Sequence, residues 1–126
     1  MTIDSIDHLV LTVRNIERTC DFYHRVLGMT VETFGQGRIS LHFGKQKINL
    51  HALGREFAPH ASKPVTGSAD LCFLTEQSPE QTLQHLHECQ VEVLQGPVQR
   101  EGACGAITSF YFYDPDGNLL EVSHAL

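Results

Sequence analysis

The chain has 126 residues, enough for one domain with a hydrophobic core of its own. Its formal net charge is -6 and no run of basic residues is present, which argues against a nucleic-acid partner because phosphates require clustered Lys and Arg. The N-terminus lacks the basic and apolar regions of a signal peptide, and no apolar run reaches membrane-spanning length. We therefore expect a cytoplasmic protein without membrane contact.

The first half of the chain predicts one strand, one helix and several further strands. Residues 5–13 are nearly all apolar and β-rich, which is typical of a strand buried on both faces. Asn15 can cap the helix that follows, and Gly28 can end it by adopting the left-handed conformation. A new strand begins directly after the helix, and short apolar runs at 39–44 and 47–53 predict two more.

The second half repeats this order. Residues 69–93 again predict a strand, a polar turn, a helix and a new strand near residue 93. Ser78, Pro79 and Gln81 have the spacing of a capping box with proline at the first helical position. The runs at 106–114 and 118–123 predict the last two strands, joined by the turn Asp-Pro-Asp-Gly.

This self-similarity indicates one supersecondary unit used twice, each copy completing the core of the other. We predict an α+β fold of two βαβββ modules, at about residues 4–53 and 67–124, within a single domain over 1–126. Their mixed sheet is expected to bend around a cavity as a half-barrel, with the helices outside. The connection at 52–68 has no clean period, and it could border the cavity.

Three residues in these strands suggest a metal site. His8 lies in the first predicted strand, while His51 and Glu121 lie in the last strand of each half. Because side chains alternate along a strand, His51 shares a face with Asn49, and Glu121 faces away from its apolar neighbours. Two imidazoles and one carboxylate suit a divalent first-row metal. The simpler alternatives are a structural histidine held by hydrogen bonds, and a pocket histidine that binds substrate.

Three stretches of sequence carry a resemblance to a known family: DHLVLTV, DFYHRVLGM and FYFYDPDGNLLEVS. The chain resembles the vicinal oxygen chelate superfamily, which includes glyoxalase I, extradiol dioxygenases and bleomycin-binding proteins. Through FGKQKINLH and PVTGSADLCFLTE it looks most like the family of glyoxalase domain-containing protein 5. The resemblance implies a paired βαβββ fold, often dimeric, in which one metal ion binds two neighbouring oxygens of a substrate.

The resemblance also implies which positions hold the metal. His8 matches the first-strand histidine and Glu121 the last-strand glutamate of metal-using members. The fifth-strand position falls on Asp70, which could be a ligand, a residue that orients a histidine, or a surface side chain. The fourth-strand position, glutamate in glyoxalase I, falls on Asn49, and His51 is expected to replace the missing imidazole. An amide cannot act as a base, so weak or absent glyoxalase I activity is expected.

Three functions fit this ligand set. The first is a glyoxalase-like lyase or isomerase acting on a small substrate with adjacent oxygens, with Glu121 as ligand and catalytic base. The second is an extradiol-type dioxygenase, and the third is a metal-independent, ligand-sequestering protein of the bleomycin-resistance kind. We expect a homodimer, and for the first two functions we expect one divalent ion per site, whether Ni, Zn, Co, Mn or Fe.

Overall fold

The computed structural model describes all residues, Met1–Leu126, and contains eight strands and two helices. In chain order they are β1 (His8–Val13), α1 (Ile16–Leu27), β2 (Thr30–Phe34), β3 (Arg38–Phe43), β4 (Gln46–Ala52), β5 (Asp70–Thr75), α2 (Pro79–Glu88), β6 (Gln95–Gly102), β7 (Gly105–Tyr113) and β8 (Leu119–Ala125). The predicted order βαβββ therefore occurs twice.

The chain divides into two compact units, Met1–Thr66 and Gly67–Leu126. Each unit contains one helix and one four-stranded sheet, with strand order β1-β4-β3-β2 in the first and β5-β8-β7-β6 in the second. In both sheets the first strand runs parallel to the last, whereas the other neighbours are antiparallel. The α+β class and the repeated module are thus confirmed. Neither helix has the length and apolar character needed to cross a bilayer.

Helix α1 begins and ends at the predicted residues. The side chain of Asn15 accepts a hydrogen bond from the Arg18 amide, and Gly28 ends the helix at φ 68°. The helix contacts β2, β3 and β4. Its fully buried Tyr23 and the neighbouring Val26 belong to the core of the first unit. Tyr23 is therefore a packing residue.

Helix α2 begins with the predicted capping box, since Ser78 accepts from the Gln81 amide while the Gln81 side chain accepts from the Ser78 amide. Its end differs from the prediction. The amide of Val91 donates to the carbonyl of Leu86, and Gln90 adopts φ 59°. This hydrogen bond and the left-handed Gln90 end the helix and change the direction of the chain. Residues 91–93 are therefore not a strand, and β6 begins only at Gln95.

Each sheet has one apolar and one mixed face. In the first unit the buried Leu41, Ile48 and Leu50 lie on the apolar face. Strand β1 is shorter than predicted and is not buried on both faces, because Val10 is 45% exposed. The mixed faces carry the residues that the sequence singled out.

The turn before β8 is built by Asp114, whose carboxylate accepts from the amides of Asp116 and Asn118 and from the side chain of Asn118. Asn118 in turn accepts from the Ala69 amide, just before β5. The predicted Asp-Pro-Asp-Gly turn therefore fixes where β8 starts beside β5, and with it the position of Glu121.

Candidate functional site

One face of the first sheet is lined with polar and ionisable side chains. Register pairs assign to it His8, Thr12, Glu32, Arg38, Ser40, His42, Lys47, Asn49 and His51. Five of these can carry positive charge and one can carry negative charge. A face of this composition cannot pack against an apolar core, so it is suited to binding a metal ion or a polar ligand.

His8 stands at the start of β1 with its side chain 44% exposed. Its Nδ1 lies 2.8 Å from a carboxylate oxygen of Asp7. A carboxylate bonded to one ring nitrogen fixes the orientation of a metal-binding histidine and makes the other nitrogen a better ligand. The contact with Asp7 leaves Nε2 as the ring nitrogen of His8 that could bind a ligand.

His51 is buried, with 8% of its surface exposed. The ring of Phe57, from the connection between the units, meets it edge to face at 5.7 Å, and the Arg38 guanidinium lies 4.4 Å from the same phenyl ring. Burial, and then the charge of Arg38, lower the pKa of His51 below its ordinary value, although Glu56 acts in the opposite direction. His51 is therefore neutral at pH 7, the form in which imidazole binds metals.

His8 and His51 share a face, but they do not lie side by side. Strand β1 pairs His8 with Lys47 and Thr12 with His51. Four residues of strand therefore separate the two histidines, about 13 Å at the usual rise per residue. Between them lies Asn49, whose side-chain oxygen is buried without a hydrogen-bond partner.

His42 also lies on this face, where its Nε2 is 3.0 Å from Glu32 and 2.9 Å from the Ser40 hydroxyl. His42 was not singled out from the sequence. The period-two pattern Arg38, Ser40, His42 was the signal that assigns it to the same face as His51.

In the second unit, Glu121 is held by two serine hydroxyls. Ser109 donates to its Oε2 at 2.5 Å, and Ser123 lies 3.3 Å from the same oxygen and 2.7 Å from Ser109. The carboxylate therefore has one oxygen fixed by neutral donors and a second oxygen left for another ligand. No basic side chain lies within ion-pair distance of the Glu121 carboxylate.

Glu121 opens onto a pocket of about 430 Å³ within the second unit. Its walls include Cys72, Leu74, Arg100, Ile107, Tyr111 and Glu121. Cys72 and Tyr111 are the register partners of Glu121 on the two neighbouring strands. Arg100 was missed from the sequence because β6 was expected several residues too early. Tyr111, on the predicted strand β7, was missed because the pairing of Tyr111 with Glu121 depends on register.

Asp70 is exposed at the first position of β5, and its register partner is Leu119. It shares a face with Cys72 and Glu121. Neither unit contains three or more His, Cys, Asp or Glu side chains grouped to hold a metal ion. The structure thus leaves the predicted ligands as two imidazoles in the first unit and two carboxylates in the second.

Two βαβββ units, each with polar side chains on one face of its sheet, define a protein with a glyoxalase-type fold. The chain belongs to the Glyoxalase/Bleomycin resistance protein/Dioxygenase superfamily, whose profile matches residues 5–122. This confirms the superfamily expected from the sequence motifs.

Two relatives illustrate the similarity. The glyoxalase domain-containing protein RDO1 of Mycosarcoma maydis is 51% identical over 123 residues, covering 98% of this chain and 69% of the relative. The virulence protein STM3117 of Salmonella typhimurium is also 51% identical over 123 residues, covering 98% and 85%. The finer resemblance to glyoxalase domain-containing protein 5 stays a prediction.

A solved structure extends the similarity to the whole fold. An integron cassette protein from the mobile metagenome of V. Cholerae superposes with a TM-score of 0.98 at 56% identity, covering 100% of this chain and 98% of the other.

Proposed function

We propose that the protein is a metal-dependent lyase or isomerase of the glyoxalase type, acting on a small substrate with adjacent oxygens. The observation that carries this proposal is Glu121, which lines a pocket and whose carboxylate has one oxygen held by serine hydroxyls. A carboxylate in such a sheet is costly unless a cation partners it. The family membership makes a divalent metal the natural partner.

The donor set fits Ni, Zn, Co, Mn or Fe as a divalent ion. His8 offers an imidazole oriented by Asp7, His51 offers a neutral imidazole, and Glu121 offers a carboxylate oxygen. When bound, the metal would act as a Lewis acid that stabilises negative charge on the two substrate oxygens. Asp70 remains a further candidate ligand on the face that carries Glu121.

The chain's own residues have defined tasks in this proposal. Ser109 holds Oε2 of Glu121, so that Oε1 is the atom that would hold the metal and, once the substrate takes its place there, would accept a proton from the substrate carbon. The buried Ile107 gives the pocket one apolar wall. Asn49, which cannot accept a proton, has no part in this transfer.

The spacing of the histidines adds a condition. Because His8 and His51 lie four residues apart along paired strands, they cannot meet at one ion when both come from one chain. The proposed site therefore takes its two imidazoles from two copies, in keeping with the predicted homodimer.

Mixed dimers test this arrangement. Two single variants, His8→Ala and His51→Ala, are purified separately. They are also coexpressed with different tags so that the mixed dimer can be isolated. The metal content per dimer is then measured for all three preparations. Two-fold symmetry predicts that each single-type dimer loses both sites, whereas the mixed dimer regains one intact site and binds half the wild-type metal. His87→Ala, an exposed change on α2, is the control and should bind normally. A mixed dimer without metal, or full metal binding by His51→Ala alone, would overturn the shared site.

A ligand-sequestering protein of the bleomycin-resistance kind is the second candidate, favoured by the apolar Leu74 and Ile107 in the pocket wall. Calorimetric titration of wild type and Glu121→Gln with metal separates the two. An enzyme of the proposed kind loses metal affinity sharply in the variant, because the amide keeps the shape but not the charge. Unchanged metal uptake would favour the sequestering protein, or no metal role at all.

A further inference from the structure

The second unit contains an arginine whose side chain is fixed at the pocket wall. Nε of Arg100, on β6, donates to the hydroxyl of Tyr111 on β7 at 3.1 Å. Its Nη1 donates to the carbonyl of Gln99 at 3.1 Å, and its guanidinium carbon lies 5.6 Å from the Tyr111 ring centre. Two bonds on different nitrogens hold the plane of the guanidinium, although the residue itself is exposed.

These bonds leave much of the guanidinium's donor capacity unused. A guanidinium has five N–H donors, and the bonds to Tyr111 and Gln99 engage two of them. Three N–H donors on Nη1 and Nη2 therefore remain, and a guanidinium uses such donors to bind a carboxylate or a phosphate. No carboxylate of the chain lies within ion-pair distance of Arg100, although Glu101 and Glu121 line the same pocket.

Tyr111 supplies a second donor. Because its oxygen accepts the bond from Arg100, its own proton is free to point elsewhere. Tyr111 is also the register partner of Glu121 on the neighbouring strand. The pocket thus has a positive, donating wall formed by Arg100 and Tyr111, adjacent to the carboxylate proposed to hold the metal.

We propose that Arg100 and Tyr111 bind an anionic group, a carboxylate or a phosphate, that the substrate carries in addition to its adjacent oxygens. This deepens the proposed function and rests on it for the adjacent oxygens, but the recognition of the anion depends on Arg100 and Tyr111 alone. The substrate class is then a small organic acid or phosphate ester with two neighbouring oxygens. A neutral dicarbonyl or diol lacks the group that this wall binds.

Three small molecules that differ only in the charged group serve as probes. Glycerol phosphate, dihydroxybutanoate and glycerol all carry neighbouring hydroxyls, but only the first two are anions. Binding to the full-length protein is followed by NMR titration, first as purified and then with a chelator present. Both anions, or one of them, should bind more tightly than glycerol, and the tighter one identifies phosphate or carboxylate as the recognised group.

Variants of Arg100 and Tyr111 test whether these residues cause the preference for anions over glycerol. Arg100→Gln should weaken anion binding about tenfold or more, because the charge-assisted hydrogen bonds between the guanidinium and the anion are lost. Arg100→Lys should recover part of the affinity by restoring the charge, and Tyr111→Phe should lose less than Arg100→Gln. Arg25→Gln, an exposed arginine on α1, is the matched control and should leave binding unchanged.

The possible outcomes are distinct. Equal anion affinity in Arg100→Gln and wild type, or no preference for the anions over glycerol, would overturn the proposal. Metal uptake by Arg100→Gln should match wild type, since the arginine is not a ligand. Loss of anion binding with metal uptake intact, and persistence of anion binding when the chelator removes the metal, therefore separate this proposal from that of the metal site.

Discussion

Glu121 shows how neutral neighbours can orient a single carboxylate. Ser109 is fully buried and bridges Glu121 and Ser123 by short hydrogen bonds. Hydroxyl donors fix the orientation of the carboxylate without neutralising it, so its charge remains available to a cation. The motif FYFYDPDGNLLEVS revealed the glutamate, but its serine partners became evident only from the pairing of β7 with β8.

Replacing Ser109 tests this network through stability. In Ser109→Ala the Glu121 carboxylate loses its shortest donor, and a buried hydrogen bond to a charged group contributes about 1.5–3 kcal/mol. We expect the free energy of unfolding to fall by about that amount in urea denaturation. Ser62→Ala, in an exposed stretch of the connection, should be neutral. A Ser109→Ala protein as stable as wild type would show that the bond contributes nothing net.

His51 provides a test by pH. Its pKa in the folded protein is lowered, chiefly by burial, whereas in the unfolded chain it returns to about 6.5. Above that value both states are neutral and the group contributes nothing to the pH dependence of stability. As the pH falls below it, the unfolded chain takes up the proton more readily, so stability is lost.

We therefore expect the free energy of unfolding of chelator-treated protein to decrease between about pH 7 and pH 5. The decrease should be smaller in His51→Gln, which cannot titrate, and unchanged in His87→Gln, an exposed control on α2. Urea unfolding at several pH values measures this. Identical pH profiles for wild type and His51→Gln would contradict the assignment of a buried, neutral imidazole.

At the scale of the elements, local sequence signals predicted most of the fold. The caps at Asn15, Gly28 and Ser78 and the turn at Asp114 are short-range chemistry, and each is present as expected. The segment after α2 was predicted wrongly, because the alternating sequence VEV at residues 91–93 is typical of a strand. The Val91 amide instead bonds back to the helix, a choice that the sequence pattern does not reveal.

Gly67 joins the connection to the second unit and lies against the turn before β8. A side chain there would place its Cβ 2.6 Å from the Asp116 carbonyl oxygen, at φ 75°. Gly54 has a similar φ of 82° but open space around it. Gly54→Ala should therefore cost only the conformational term, about 1–2 kcal/mol. Gly67→Ala should cost clearly more, as measured by thermal or urea unfolding. Equal losses of stability in the two variants would mean that the turn before β8 can shift to accommodate the new Cβ without a loss of free energy.

For the whole molecule, the sequence located the repeat but not the distances across the sheets. The sequence placed His8 and His51 in the first and last strands of one half, and Asn49 on the same face as His51. Their separation depends on which residues of β1 and β4 pair. That register follows from long-range packing and hydrogen bonding, and one sequence does not specify it.

We expect the protein to be a two-fold homodimer in solution. Val10 is 45% and Leu74 is 69% exposed in the single chain, and each lies on the mixed face of its sheet. Apolar side chains on a ligand-binding face are stabilised when a second copy covers them, and pairing also protects sheet edges. Light scattering at micromolar concentration should give twice the mass of the chain. A monomer would contradict both the dimer and the shared metal site.

The parallel pairing of β1 with β4 has a consequence for synthesis on the ribosome. All four strands of the first sheet lie within residues 8–52, before any strand of the second sheet is made. The first half can therefore complete its own backbone pairing while the second half is still being translated. Glu121 lies on β8, the last strand of the second sheet. A nascent chain thus completes the sheet that carries His8 and His51 before it completes the sheet that carries Glu121.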